Sequence, residues 1–185
     1  MDFESLTDEE LVPHILTNRD SFRYIVERYQ DKLYRFIRRI SGRSDEEIED
    51  ILQEVFIKMY QNLNNFDTDL KFSSWAYRIA RNHTISHHRK KSNQTLLLEA
   101  EMAAKLVSGL DVHGEVMNQL EAEEVNEIIA KLKPNYRDIL VLKFLEEKDY
   151  REISDILKIP EGTVGTRIHR AKHVFKKVYE KRHNR

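Results

Sequence analysis

A basic segment in the first half of the chain, residues 75–91, has the side chains that bind phosphate and unpaired bases. Its sequence, WAYRIARNHTISHHRKK, holds five arginines and lysines and no acidic residue. Cationic side chains follow a nucleic-acid backbone, and aromatic rings stack on bases that have left the duplex. The segment and the loop before it, which contributes Asn64, Asn65 and Phe66, therefore predict a surface for unpaired DNA. Packing in the protein core is the alternative for the aromatic residues, and it stays open for Phe66 and Tyr77.

A second basic segment, residues 150–172, has the outline of a helix-turn-helix motif. Its sequence, YREISDILKIPEGTVGTRIHRAK, predicts a short helix, a tight turn that ends near Pro160 and a second helix. The second helix would present its cations and threonines to the major groove. Arginine hydrogen-bonds guanine through two donors, and threonine contacts a thymine methyl group or a phosphate. The motif therefore predicts contact with duplex DNA, against the alternative of a helical hairpin with a solvated basic face. The candidate contacts are Thr163, Thr166, Arg167, His169, Arg170 and Lys176.

A third surface is acidic. Residues 45–63 repeat apolar side chains at intervals of three and four, which predicts a helix with one buried side and carboxylates on the other. DNA would repel such a face, so we interpret it as a docking surface for a basic protein partner. A merely solvated face is the alternative. The outward residues are Glu46, Glu47, Glu49, Asp50, Gln53 and Glu54.

The composition narrows the classes of function. The chain of 185 residues has no cysteine, which excludes disulfides, thiolate metal sites and cysteine nucleophiles. His169 and His173 have the spacing of a metal-binding pair, but their surroundings are basic and no third ligand is evident. No glycine-rich phosphate loop or nucleophile motif occurs, so we expect no catalytic residue, no metal and no cofactor. Without a signal sequence or a segment of transmembrane length, we expect a cytoplasmic protein that does not insert into membranes.

The chain is predicted to be all-α. Gly (5) and Pro (3) are scarce, so tight turns have few supporting residues. Apolar side chains recur with helical spacing in both halves of the chain, and the spacing is lost between them. We therefore predict two small helical domains joined by a linker, the second containing the helix-turn-helix. The domains span residues 1–91 and 119–185, with the linker at 92–118. Helices of the second domain are expected at 119–132, 135–146, 149–157 and 160–182.

Charge is segregated along the chain although the net charge is only −1. Residues 71–91 carry six lysines and arginines and no acid, and residues 164–185 carry eight against one glutamate. Acidic residues are concentrated at 44–67 and 99–127. A chain with basic and acidic faces of this kind is expected to bring them together. We therefore predict that the free protein is compact and covers part of its own basic surface.

Three motifs in this order resemble the bacterial extracytoplasmic-function (ECF) sigma factors. They are DILQEVF at 50–56, FSSWAYRIARN at 72–82, and the pair LKPNYRDILVLKF at 132–144 and YREISDILKIPEGTVGTRIHRAK at 150–172. The resemblance covers nearly the whole chain. It implies that the first domain is sigma region 2, which binds the polymerase clamp and opens the minus-10 element. It implies that the second domain is region 4, which binds the polymerase flap and the minus-35 element.

The resemblance assigns roles to individual positions. It implies that Glu47, Asp50, Gln53 and Glu54 contact core RNA polymerase, and that the helix-turn-helix candidates contact the minus-35 element. The implied minus-10 contacts are Asn64, Asn65, Phe66, Lys71, Tyr77, Arg78, Arg81, Asn82 and Arg89. An anti-sigma factor is an expected further partner. The alternative is a stand-alone helix-turn-helix regulator with an N-terminal sensing domain, which would bind DNA tightly without polymerase.

Overall fold

The computed structural model describes residues 3–92 and 122–183, with side chains up to residue 87 in the first segment and from residue 123 in the second. Within these two segments the regular structure is helical, which confirms the predicted all-α class. The helices are α1 (Asp8–Thr17), α2 (Phe22–Ser41), α3 (Asp45–Asn62), α4 (Phe72–Ser92), α5 (Ala122–Ala130), α6 (Pro134–Leu140), α7 (Tyr150–Leu157) and α8 (Glu161–His183). Short 3-10 turns follow α1 and α3, and a π-helical turn, Val141–Leu145, extends α6.

Helix ends in the first domain follow from local side-chain chemistry. Thr7 and Glu10 form a capping box at the start of α1. Gly42 ends α2 in the left-handed conformation (φ 63°), where a residue with a Cβ would be strained. Ser44 then caps α3 by accepting a hydrogen bond from the backbone N–H of Glu47. These signals explain why two long helices are separated by only three residues.

The first domain is a bundle in which α2, α3 and α4 pack around one apolar core. The buried side of α2 includes Phe36 and Leu33, and α3 contributes Ile51 and Met59. Burial of each such side chain stabilises the fold by about 1.5–3 kcal/mol. The carboxylate of Glu9 on α1 accepts a hydrogen bond from the Phe72 backbone N–H at 2.7 Å and so caps α4. This contact fixes the start of the basic helix against the rest of the bundle.

The second domain holds the predicted helix-turn-helix. Asp149 and Glu152 form a capping box at the start of α7. Lys158 ends α7 in the left-handed conformation (φ 53°), and α8 begins three residues later. The apolar side of α8 is buried against α6 and α7 through Val164, Ile168 and other residues. The turn therefore orients α8 with its polar side away from the core.

Some sequence predictions lie outside the described residues. The linker predicted at 92–118 falls almost entirely there, as do the first residues of the domain predicted to begin at 119. The side chain of Arg89 is also outside the description. Among the described helices, none is long and apolar enough to cross a lipid bilayer.

Candidate DNA and protein interfaces

Part of the predicted minus-10 surface lies along a groove between α3 and α4. The groove has a volume of 640 Å³, and both Asn65 and Asn82 line it. Asn64, Asn65 and Asn82 are exposed, and Arg78 is half-buried on α4. Amide side chains and a guanidinium in this arrangement offer donors for phosphate and for base edges. The structure therefore brings these four predicted residues to the protein surface.

Phe66 was expected at the DNA surface, and in the structure it is buried instead. Its ring lies 5.3 Å from the ring of Phe72 and 5.4 Å from that of Trp75, measured between centroids. Only 7 % of Phe66 is exposed. Aromatic side chains gain large free energies from such burial, and the edge-to-face arrangement of Phe66 and Phe72 is a favoured one. Phe66 therefore belongs to the core of the first domain in this structure.

Tyr77 is also buried, contrary to the prediction that it faces outward. Its ring packs against Phe36, with 4.9 Å between centroids, and its hydroxyl donates a hydrogen bond to Glu146 Oε2 at 2.7 Å. Burial raises the pKa of the Tyr77 hydroxyl, and the Glu146 charge raises it further. Glu146 belongs to the second domain, so burial of the Tyr77 hydroxyl depends on the packing of the two domains.

Two cations of the predicted minus-10 surface are paired with carboxylates of the second domain. Arg81 Nε donates to Asp138 Oδ2 at 2.7 Å, and the two side chains are 16 % and 4 % exposed. Burial raises the pKa of Asp138, although the Arg81 charge opposes the shift. Lys71 Nζ lies 3.3 Å from Asp149 Oδ2 and 3.7 Å from Glu152 Oε2. The hydrogen bond to Asp149 is the main cause of a raised Lys71 pKa.

The predicted minus-35 residues lie along α8 with different exposures. Thr166, His169 and Arg170 are exposed, whereas Thr163, Arg167 and Lys176 are half-buried. The Thr166 hydroxyl donates to the Gly162 carbonyl, and Lys176 pairs with Glu180 one helical turn later. Helix α8 therefore presents a polar, cationic side opposite its buried stripe, as the helix-turn-helix interpretation requires.

The acidic face of α3 is exposed as predicted. Asp50, Gln53 and Glu54 are exposed, and Glu47 is half-buried beside Arg43 at 2.7 Å. The exposed side also includes Ile57, which is 55 % exposed and which the sequence analysis missed. Its signal was available, because Ile57 is an apolar residue outside the periodic stripe of the helix. Ile57 therefore adds one exposed apolar side chain to the acidic face of α3.

No group of three or more histidine and carboxylate side chains suited to a metal ion occurs among the described residues. The described part of the chain therefore places no third metal ligand beside His169 and His173 on α8.

Comparison with known proteins relates both domains to one family. The model for Sigma-70 region 2 matches residues 25–94, and the model for Sigma-70, region 4, matches residues 122–173. The chain is 40 % identical to the ECF RNA polymerase sigma factor SigW of Bacillus subtilis, over 86 % of this chain and 89 % of that protein. It is 30 % identical to the ECF RNA polymerase sigma-E factor of Haemophilus influenzae, over 93 % of this chain and 95 % of that protein.

Solved structures share the fold. CnrH, in a complex with the cytosolic domain of CnrY, aligns with a TM-score of 0.69 and 21 % identity over 94 % of this chain and 97 % of that one. The sigma factor RpoE of Bartonella quintana, in a complex with the anti-sigma factor NepR, aligns with a TM-score of 0.65 and 18 % identity over 86 % and 96 %.

Proposed function

This chain belongs to the ECF sigma factors of bacterial RNA polymerase, and we propose that it binds core polymerase through α3 and promoter DNA through α4 and α8. As a sigma factor it directs core polymerase to specific promoters and helps to open the minus-10 element. Region 2 extends over residues 1–91 and region 4 over residues 119–185, with a linker between them. The protein acts in the cytoplasm and catalyses no reaction itself.

The observation that carries this assignment is the separation of charge between α3 and α8. The exposed side of α3 is acidic around Asp50 and Glu54, so it is suited to a basic protein surface and not to DNA. The exposed side of α8 carries Arg170 and further cations, so it is suited to phosphate and base edges. A stand-alone DNA-binding regulator has no evident use for the acidic face.

Energetics support a need for the polymerase. Each base step of duplex DNA is stabilised by about 1.4 kcal/mol, so opening on the order of ten steps costs about 14 kcal/mol. Stacking one or two captured bases on aromatic side chains returns roughly 1–6 kcal/mol. The remainder has to come from the polymerase, which supplies further contacts with the opened strands. The isolated chain is therefore expected to recognise promoters weakly.

An anti-sigma factor is a further proposed partner. CnrH was solved with the cytosolic domain of CnrY, and RpoE with the anti-sigma factor NepR. We propose that a protein of this kind binds the present chain and prevents it from reaching core polymerase.

Run-off transcription on a library of bacterial promoter fragments tests the proposed function. Core RNA polymerase from Bacillus subtilis is assayed alone and with the full chain, and transcripts are mapped by sequencing. We expect transcripts from a subset of fragments only when the chain is added, with shared sequence boxes upstream of the start sites. Tight operator binding without any transcripts would instead support the stand-alone regulator.

A further inference from the structure

The carboxylates of region 4 occupy the basic side of α4, the helix assigned to the minus-10 element. We propose that region 4 is an intramolecular inhibitor of region 2: its carboxylates take the place of DNA phosphates, and the two regions must separate before minus-10 DNA binds. This inference rests on the proposed function, because it assigns a regulation to the same DNA surface. We call the contact between Arg39, Lys71, Ser73, Tyr77 and Arg81 of region 2 and the acidic side chains of region 4 the interdomain interface.

Glu146 is the central acidic residue of the interdomain interface. Its Oε2 accepts the hydrogen bond from the Tyr77 hydroxyl at 2.7 Å, and its Oε1 accepts one from Arg39 at 2.6 Å. The Glu146 side chain is only 6 % exposed. A carboxylate buried to this degree is stable only with partners of this kind, because desolvation of an unpaired charge is costly. Both of these partners lie in region 2, so separation of the domains breaks both hydrogen bonds and returns Glu146 to water.

Two further acidic positions extend the interdomain interface along α4. Asp138 accepts the hydrogen bond from Arg81 described above and is 4 % exposed. Glu152, which is 12 % exposed, accepts a hydrogen bond from the Ser73 hydroxyl at 3.2 Å and lies near Lys71. The three carboxylates are therefore distributed over α6, α7 and the segment between them. Their partners on α4, Ser73, Tyr77 and Arg81, lie one helical turn apart. The carboxylates are therefore spaced along one basic helix, as the phosphates of a nucleic-acid strand would be.

The backbone between α6 and α7 is shaped to deliver Glu146. The next residue, Glu147, has φ 52°, a left-handed conformation that is costly for a residue other than glycine. The chain then reverses so that Lys148 Nζ lies 4.7 Å above the Tyr77 ring and 3.4 Å from Ser73 Oγ. Tyr77 is thus covered by Glu146 and Lys148, which both belong to the short segment before α7.

A backbone contact joins the domains at a second place. Arg137 on α6 donates to the Ile40 carbonyl at the end of α2 at 2.9 Å, and to the Ala130 carbonyl at the end of α5 at 2.7 Å. Carbonyls at helix C-termini lack intrahelical partners, and a guanidinium satisfies several of them at once. The domains are therefore held together by side chains with specific partners in both regions.

The interdomain interface and minus-10 DNA compete for the same groups. Lys71, Tyr77 and Arg81 are assigned to DNA, and in this structure each is engaged by a carboxylate of region 4. Phosphate has the same charge as these carboxylates and cannot occupy the same donors at the same time. The apparent affinity for DNA is therefore reduced by the fraction of molecules in the open state. Disrupting the interface should raise that affinity without any new contact to DNA.

Two variants of the full chain with equal charge test the inference. The first, Glu146→Gln with Asp138→Asn, removes two carboxylates from the interdomain interface. The control, Glu161→Gln with Glu123→Gln, removes two exposed carboxylates of the same domain that lie outside the interdomain interface. The chain has no cysteine, so spin labels at Asp31→Cys and Lys177→Cys report the distance between the domains without background. Binding to a labelled thymidine oligonucleotide is measured in parallel, and circular dichroism checks the helix content.

We expect the interface variant to show a longer and broader distance distribution and about tenfold tighter binding to the oligonucleotide, with the control like the wild type. Equal distances and equal affinities in all three proteins would overturn the inference. If the interface variant loses helix content, the charge swap replaces it: Arg39→Glu and Glu146→Arg should each lengthen the distance, and the double variant should shorten it again. Failure of the double variant to close would likewise overturn the inference. A chain that opens as expected but yields no run-off transcripts would contradict the proposed function alone.

Discussion

The carboxylate Oε2 of Glu54 on α3 lies 2.6 Å from the imidazole Nε2 of His83 on α4. Glu54 belongs to the proposed polymerase-binding face, and His83 lines the groove shared with Asn65 and Asn82. The contact therefore joins the helix assigned to the polymerase with the helix assigned to DNA. The contact orients the Glu54 side chain, and 52 % of that side chain remains exposed.

The titration of His83 is the first prediction. Burial lowers the pKa of His83 below the ordinary 6.5, and the Glu54 carboxylate partly opposes this shift. Glu54→Gln should therefore lower the His83 pKa further, as measured from the imidazole Cε1–H chemical shift by NMR, whereas Glu49→Gln should not. Because the folded-state pKa is the lower one, the free energy of unfolding should decrease as the pH falls from 6.5 through that pKa. A His83 pKa above 6.5 in the wild type would contradict this account.

Gly165 provides a prediction about stability. It lies inside α8, and a Cβ built there would meet only Tyr150 Cε2 at 3.4 Å, an ordinary contact. Gly165→Ala should therefore stabilise the protein by about 1 kcal/mol through helix propensity, measured by urea unfolding. Gly42→Ala is the control of opposite sign, because φ 63° at Gly42 makes a Cβ costly by about 1–2 kcal/mol. Destabilisation by Gly165→Ala would show that α8 and Tyr150 are packed more tightly than the structure indicates.

The cap provided by Glu9 gives a third prediction. Glu9→Ala removes the acceptor for the Phe72 N–H and should lower the free energy of unfolding by about 1 kcal/mol. Hydrogen exchange of the first amides of α4 should become faster in the same variant. Asp31→Ala, at an exposed position within α2, should change stability by less than about 0.5 kcal/mol. Unchanged exchange at Phe72 in the Glu9 variant would contradict the capping role.

Arg170 tests the assignment of α8 to the upstream promoter box. It is exposed on the polar side of the helix, where it is available to a base edge or phosphate. Arg170→Ala should cost about 1–3 kcal/mol of discrimination, seen as about a 5- to 150-fold loss of transcripts from promoters with the upstream box. Binding to core polymerase should be unchanged. Lys177→Ala, further along α8, should have a much smaller effect, and equal losses in both variants would indicate a general charge effect.

The sequence was sufficient for the helices and insufficient for their mutual packing. The spacing of apolar residues and the caps at Ser44 and Asp149 depend on neighbours in sequence, so the helices and the helix-turn-helix were predictable. Charge segregation predicted contact between basic and acidic faces, with the acidic ones at 44–67 and 99–127. The carboxylates that contact the basic side of the first domain, Asp138, Glu146, Asp149 and Glu152, lie outside both of those segments. Which carboxylate lies on which cation depends on domain packing, so the role of Glu146 was not predicted.

The two aromatic residues show the same limit. Phe66 and Tyr77 have the residue types expected of a base-stacking surface, and both are buried. Phe66 is buried by residues of its own domain, because a three-ring cluster removes more apolar area from water than an exposed ring would. The Tyr77 hydroxyl is covered by a residue distant in sequence. Residue type alone does not distinguish these outcomes from exposure.

Binding of the purified full chain to core RNA polymerase tests the central claim most directly. We expect a stable complex by gel filtration and a measurable affinity by fluorescence anisotropy. Asp50→Lys should weaken that affinity about tenfold or more, because it places a cation on the acidic face at an exposed position where the fold does not depend on it. A wild-type chain that is folded but does not associate with core polymerase would contradict the account.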